Sequence, residues 1–170
     1  FTNVSTYINV EENSHLNIHK IQKNGIGTFD LQREYVNQAK NSSFTINTFS
    51  LSGRLTRNEL NILVNGSNCE TFMNGAYTLK GKSHCDNHTT VDHKVAHCYS
   101  KELYKGVIDD AATNVFNGKV FVRKDAQKIN AFQSNANILL SETGSVNSKP
   151  ELEIYADDVK CSHGSTTGQL

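Results

Sequence analysis

Residues Lys149–Gln169 read KPELEIYADDVKCSHGSTTGQ, a block that divides around a pair of acids. Before them, Leu152-Glu153-Ile154 alternates apolar with polar, the period of two expected of a half-buried strand. After them, an extended Val159 to His163 would project Cys161 and His163 from one face with Cα atoms about 6.6 Å apart, and Lys160 and Ser162 from the other. A soft and a borderline ligand would then face the same way. Thiolate and imidazole both suit iron or a nascent iron–sulfur cluster, and clusters take about four ligands, so this strand supplies at most half a site and a partner the rest. Asp157 and Asp158 fit two roles, orienting an imidazole or making a turn. On side-chain chemistry alone the plainer assignment puts Cys161 in a core beside Val159, with His163 closing the last layer.

The same alternation recurs upstream in Leu16-Asn17-Ile18, Phe44-Thr45-Ile46 and Val120 to Val122. Asn-Gly pairs at Asn24-Gly25, Asn65-Gly66, Asn74-Gly75 and Asn117-Gly118 read as turns where positive φ is tolerated. Two of their separations, 41 and 43 residues by subtraction of the positions, suit pairs of coils of roughly 21 residues. Asparagine fills 20 of the 170 positions, proline one and tryptophan none, which favours a β-solenoid, sandwich or barrel without choosing among them. Thr56-Arg57-Asn58-Glu59 has the spacing of a helix capping box. A strand is favoured there because Asn65-Gly66 follows so soon, with a single helical turn as the alternative. Lys149-Pro150 reads as a junction between coils, proline ending a strand.

At this length the chain is expected to form one domain, residues 1–170, with a core large enough to fold without staples. Seventeen basic side chains balance seventeen acidic ones, which argues against nucleic acid and anionic membranes as partners. No apolar run exceeds three residues, so neither a membrane-spanning helix nor a signal peptide is expected, and the segment reads as soluble. Phe1 and Leu170 are expected to be cuts through a longer protein, which leaves upstream targeting open. The four cysteines, Cys69, Cys85, Cys98 and Cys161, are expected to be reduced thiols, and the cytoplasm is the expected compartment.

Six of the eleven Cys and His residues fall between His84 and Cys98. Cys85-x-x-His88 followed by His93-x-x-x-His97 has a superficial metal-ligand rhythm, and with Cys98 makes His88, His93 and His97 a second tier of candidate ligands. In a strand, however, His88 and Asp92 share one face and His93 takes the other, so closing a tetrahedral site would need a bend. The alternative is a stripe of hydrogen-bonded polar side chains. No phosphate-binding Gly-rich loop, G-x-S-x-G elbow or H-E-x-x-H pair is present.

The terminal block, together with DNHTTVDHKVAHCYSKELYKGVIDD (Asp86 to Asp110), VFNGKVFVRKDAQKINAFQSN (Val115 to Asn135) and LSGRLTRNELNILVNGSN (Leu51 to Asn68), resembles the SufB/SufD family of the SUF iron–sulfur cluster assembly machinery. These stretches cover nearly the whole chain in family order. The departures are small: Ala96 where proline is usual, and Ser165 and Thr167 where alanine and valine are usual.

The resemblance implies an all-β, right-handed parallel β-helix, a core from which the family's N- and C-terminal helical segments are missing. It implies a non-catalytic scaffold that works with a SufB-like subunit and a SufC-like ABC ATPase and binds no cofactor tightly, an iron–sulfur cluster or iron passing through transiently. His163, in the C-S-H-G element, takes the place of the histidine on which assembly depends at the subunit interface, and Cys161 is the weaker candidate beside it. Self-association through a sheet edge is a further expectation. Two other classes stay open: a metal-dependent β-helical enzyme using the His84 to Cys98 residues, and a purely structural binding module.

Overall fold

Period-two alternation runs through the chain from end to end. The computed structural model describes residues 1–170 as twelve strands and no helix. They are β1 (Thr2–Val10), β2 (His15–Lys23), β3 (Phe29–Gln38), β4 (Ser43–Ser52), β5 (Leu55–Val64), β6 (Glu70–Leu79), β7 (His84–His93), β8 (Tyr99–Ile108), β9 (Thr113–Val122), β10 (Ile129–Leu139), β11 (Ser145–Ile154) and β12 (Val159–Gln169). Odd strands form one six-stranded parallel sheet in the order β1-β3-β5-β7-β9-β11, and even strands a second in the order β12-β10-β8-β6-β4-β2. Each coil contributes one strand to each sheet, so about six coils stack into a two-sheet parallel β-solenoid. The capping-box segment at Thr56–Glu59 lies within β5 and is a strand.

The coils are longer than the Asn-Gly spacing suggested. Asp30 pairs with Thr56 and Asn114 with Val146, offsets of 26 and 32 residues, and the other register offsets fall between them. The 21-residue estimate fails because two of the four Asn-Gly pairs are not turns. Gly75 lies inside β6 and Gly118 inside β9, where each faces the interior. Gly75 is in register with Tyr104, and Tyr77 with Gly106, so β6 and β8 exchange glycine for tyrosine at reciprocal positions. A Cβ on Gly75 would fall inside the Tyr104 ring, and one on Gly106 inside the Tyr77 ring. Pro150 is likewise no junction: it sits in the middle of β11, in register with Gly118. It is tolerated because β11 ends its sheet, and an edge strand can forgo a backbone donor.

Asparagine makes the corners. Asn13, Asn41, Asn68, His97 and Lys128 all adopt positive φ, between 57° and 63°, at the turns leading into the even strands. Asparagine is the non-glycine residue that visits this region at least cost. The corner amides also stack, Asn41 Nδ2 donating to Asn13 Oδ1 at 3.0 Å and Asn68 Nδ2 to Asn41 Oδ1 at 3.1 Å.

The interior is only half apolar. Of 47 buried residues 24 are hydrophobic, led by Phe44, Phe116, Ile46, Ile62 and Met73. The rest are mostly polar and must be satisfied within the solenoid, because an unpaired buried polar group costs about 1–3 kcal/mol. Gln22 Nε2 donates to Asn58 Oδ1 at 3.0 Å, and Asn58 Nδ2 to Asn87 Oδ1 at 3.0 Å, an amide ladder climbing coil by coil. Further along, the Tyr77 hydroxyl accepts from Asn114 and Asn135 and donates to Asn137.

Candidate functional site

The terminal block folds as its alternation requires. Val159, Cys161 and His163 occupy one face of β12, which stands at the end of its sheet. Each takes the inward-pointing register of β10, opposite Ile129, Ala131 and Gln133 respectively. Cys161 is half-buried and packs with Val159 against the core, and burial raises its thiol pKa. His163 is exposed. Lys160 and Ser162 face outward.

Asp157 and Asp158 are turn residues. Asp158 pairs with Lys128 through its carboxylate, its backbone carbonyl accepts from the Lys128 N–H at 2.6 Å, and its N–H donates to Gln127 Oε1 at 2.9 Å. These bonds lock the last corner to the one before it, which fixes where β12 begins.

Behind His163 runs an inward row with two buried polar members, Glu102 and Gln133. In register order it comprises Met73, Glu102, Gln133 and His163 on β6, β8, β10 and β12. Glu102 is fully enclosed; it accepts from Thr89 Oγ1 at 2.5 Å and from Gln133 Nε2 at 2.7 Å, and burial pushes its carboxyl up to about 7. The other amide atom of Gln133, Oε1, is buried with no partner. An orphaned acceptor therefore stands in the register position next to the His163 imidazole.

The His84 to Cys98 residues do not converge, because strand alternation disperses them. His88 points outward, its Nε2 2.8 Å from Asp86 Oδ1, beside Arg57, which pairs with Asp86. Asp92 accepts from Nε and Nη2 of a bidentate Arg123 at 3.0 and 2.9 Å. Cys85 and His93 point into the core, where burial raises the Cys85 thiol to about 11 and lowers His93 to about 4. His93 Nε2 meets Ser100 Oγ at 3.0 Å. His97 and Cys98 lie at the corner before β8. No three His, Cys, Asp or Glu side chains anywhere in the chain form a group able to hold a metal ion.

One pairing escaped the sequence analysis. Cys69 and Cys98, 29 residues apart, occupy equivalent corners of consecutive coils, one position before the registered pair Glu70 and Tyr99. Coil length is the signal that would have found them, and the Asn-Gly spacing obscured it.

A two-sheet parallel β-solenoid with a thiol and an imidazole on the inward row of its final strand defines a class of stacked-coil protein. Residues 1–170 match the family model described as SUF system FeS cluster assembly, SufBD core domain. The chain is 34% identical over its whole length to an iron–sulfur cluster assembly SufBD family protein of Synechocystis sp. and 32% identical to the iron–sulfur cluster assembly protein SufD of Escherichia coli K12, covering 38% and 40% of those proteins. A chloroplastic protein of Arabidopsis thaliana is 29% identical over the full chain, which covers 36% of it. The chain belongs to the SufBD core-domain family of SUF iron–sulfur cluster assembly, and it spans about two-fifths of the length of these relatives.

Proposed function

We propose that this chain is the core of a non-catalytic scaffold subunit that pairs with a SufB-like partner and presents His163, with Cys161 beside it, to a nascent iron–sulfur cluster shared across the interface. The observation that carries this is the position of the two donors, on the inward row of the strand that ends its sheet, with the imidazole exposed. A cluster needs about four ligands and β12 offers two, so a facing subunit completes the set. The cluster is cargo: iron and sulfide arrive, are held at the shared edge and leave. A SufC-like ABC ATPase supplies the energy for rearranging that interface, since this chain carries no phosphate-binding loop of its own. Four free thiols, three of them buried, suit a reducing compartment such as the cytoplasm.

Anaerobic cluster reconstitution on the protein co-expressed with both partners tests this, comparing wild type with His163→Ala for iron, sulfide and visible absorption. Loss of most of the cluster from a complex that still assembles is the expected result. Unchanged iron and sulfide would sink the assignment and leave His163 a structural residue.

A further inference from the structure

The two corner thiols make a second donor site, independent of β12. Cys69 Sγ lies 3.1 Å and Cys98 Sγ 3.4 Å from the same acceptor, the Gly66 carbonyl oxygen. The sulfurs are therefore no farther apart than those two lengths laid end to end. Ser42 Oγ, 3.5 Å from Cys69 Sγ, continues the column one coil down, and Ile129 continues it one coil up, between Cys98 and β12. A polar cleft of about 410 Å³ opens beside the pair, lined also by Asn68, Glu70, His97 and Lys128.

Strand spacing decides what two such thiols do. Residues in parallel register on neighbouring strands lie about 4.8 Å apart, with side chains pointing the same way. A disulfide requires Cβ atoms about 3.8 Å apart and sulfurs at about 2.05 Å, so the coils would have to be drawn together. Thiolate bonds to a d¹⁰ first-row ion run near 2.3 Å, so an ion seated linearly between two thiolates needs sulfurs about 4.6 Å apart, close to the natural repeat of the sheet. Two sulfur ligands without a third are too few for zinc or an iron–sulfur cluster, which take four, whereas soft thiolates select monovalent copper.

We infer that Cys69 and Cys98 form a two-thiolate binding site for a soft monovalent metal ion of the Cu(I) class. Binding is coordination without redox change: the ion enters as Cu(I), both thiols give up their protons to solvent, and the bis-thiolate carries one negative charge.

The test is anaerobic titration of the fully reduced protein with Cu(I), delivered as its acetonitrile complex against a chromophoric chelator. Wild type and Cys161→Ser should each bind one equivalent at least 100-fold more tightly than Cys69→Ser or Cys98→Ser. Copper X-ray absorption on the wild type should show a shell of two sulfurs and no nitrogen, a readout that stands even where a serine variant does not fold. Undiminished binding in Cys69→Ser and Cys98→Ser, loss of the ion in Cys161→Ser, an imidazole nitrogen in the copper shell, or no tight equivalent at all would each overturn the inference.

Discussion

Glu102 and His93 are buried titratable groups whose environments push in opposite directions. The folded Glu102 carboxyl sits at about 7 against an ordinary 4.5, so the folded state binds its proton more tightly than the unfolded chain does. Its contribution is complete below about 4.5 and is lost as pH rises through 7. His93, lowered to about 4 from an ordinary 6.5, does the reverse: its contribution is complete above 6.5 and is lost as pH falls toward 4. Glu102→Gln keeps the acceptor for Thr89 while removing the charge, so it should stabilise the protein at pH 8 by up to about 3 kcal/mol and by far less at pH 4.5. Urea midpoints at the two pH values would decide, and an equal effect at both would show that ionisation is not involved. Tyr77→Phe has no such pH dependence. It strips a hydroxyl from three asparagine partners and should cost about 2–4 kcal/mol at every pH, read as a lower thermal midpoint. Gly75→Ala should cost about 1–3 kcal/mol by driving a methyl into the Tyr104 ring.

Strands were the most legible elements, because alternation at Leu16–Ile18, Phe44–Ile46, Val120–Val122 and Leu152–Ile154 is a local signal and each lies inside a strand. It also placed Cys161 and His163 on one face before any fold was known. Corners were less legible. An Asn-Gly pair has the same letters whether it turns the chain, as at Asn65-Gly66, or makes room for a tyrosine one coil away, as at Asn74-Gly75, and only the neighbouring coil tells them apart. Pro150 misled for a similar reason, since its acceptability depends on β11 ending the sheet. The left-handed corners lead to a prediction of their own. Lys128 holds φ at 60° with a side chain poorly suited to it, so Lys128→Gly should recover up to about 1 kcal/mol of backbone strain, less what its pairing with Asp158 contributes. The partly exposed pair is worth little, so a small net rise in thermal midpoint is expected. Asn68→Ala, which places a residue without asparagine's local hydrogen bonds at φ 57°, should lower the midpoint.

Over the whole molecule, each coil touches chiefly its two neighbours, so stability is close to a sum of coil and interface terms. Hydrogen exchange should therefore be slowest in β7 and β9, flanked on both sides, and fastest in β12 and β1, which end their sheets. Uniform protection from β1 to β12 would contradict that picture. The candidate sites follow the same geometry: side chains meet when they are one coil apart, as Cys69 and Cys98 are, and scatter when they crowd within one strand, as His84 to His93 do.

Coil length, which varies between 26 and 32 residues while strands stay at nine to eleven, also bears on how the stack avoids errors. A solenoid of identical layers would accept any layer on any other, and a strand displaced by one storey would still find every backbone partner. Here perimeters differ along the stack, and β6 and β8 carry a lock of their own, glycine against tyrosine in both directions. A displaced storey would meet a ring where it needs a gap. Unequal layers thus make a displaced coil costly, and they discourage endless end-to-end growth through mismatched steps.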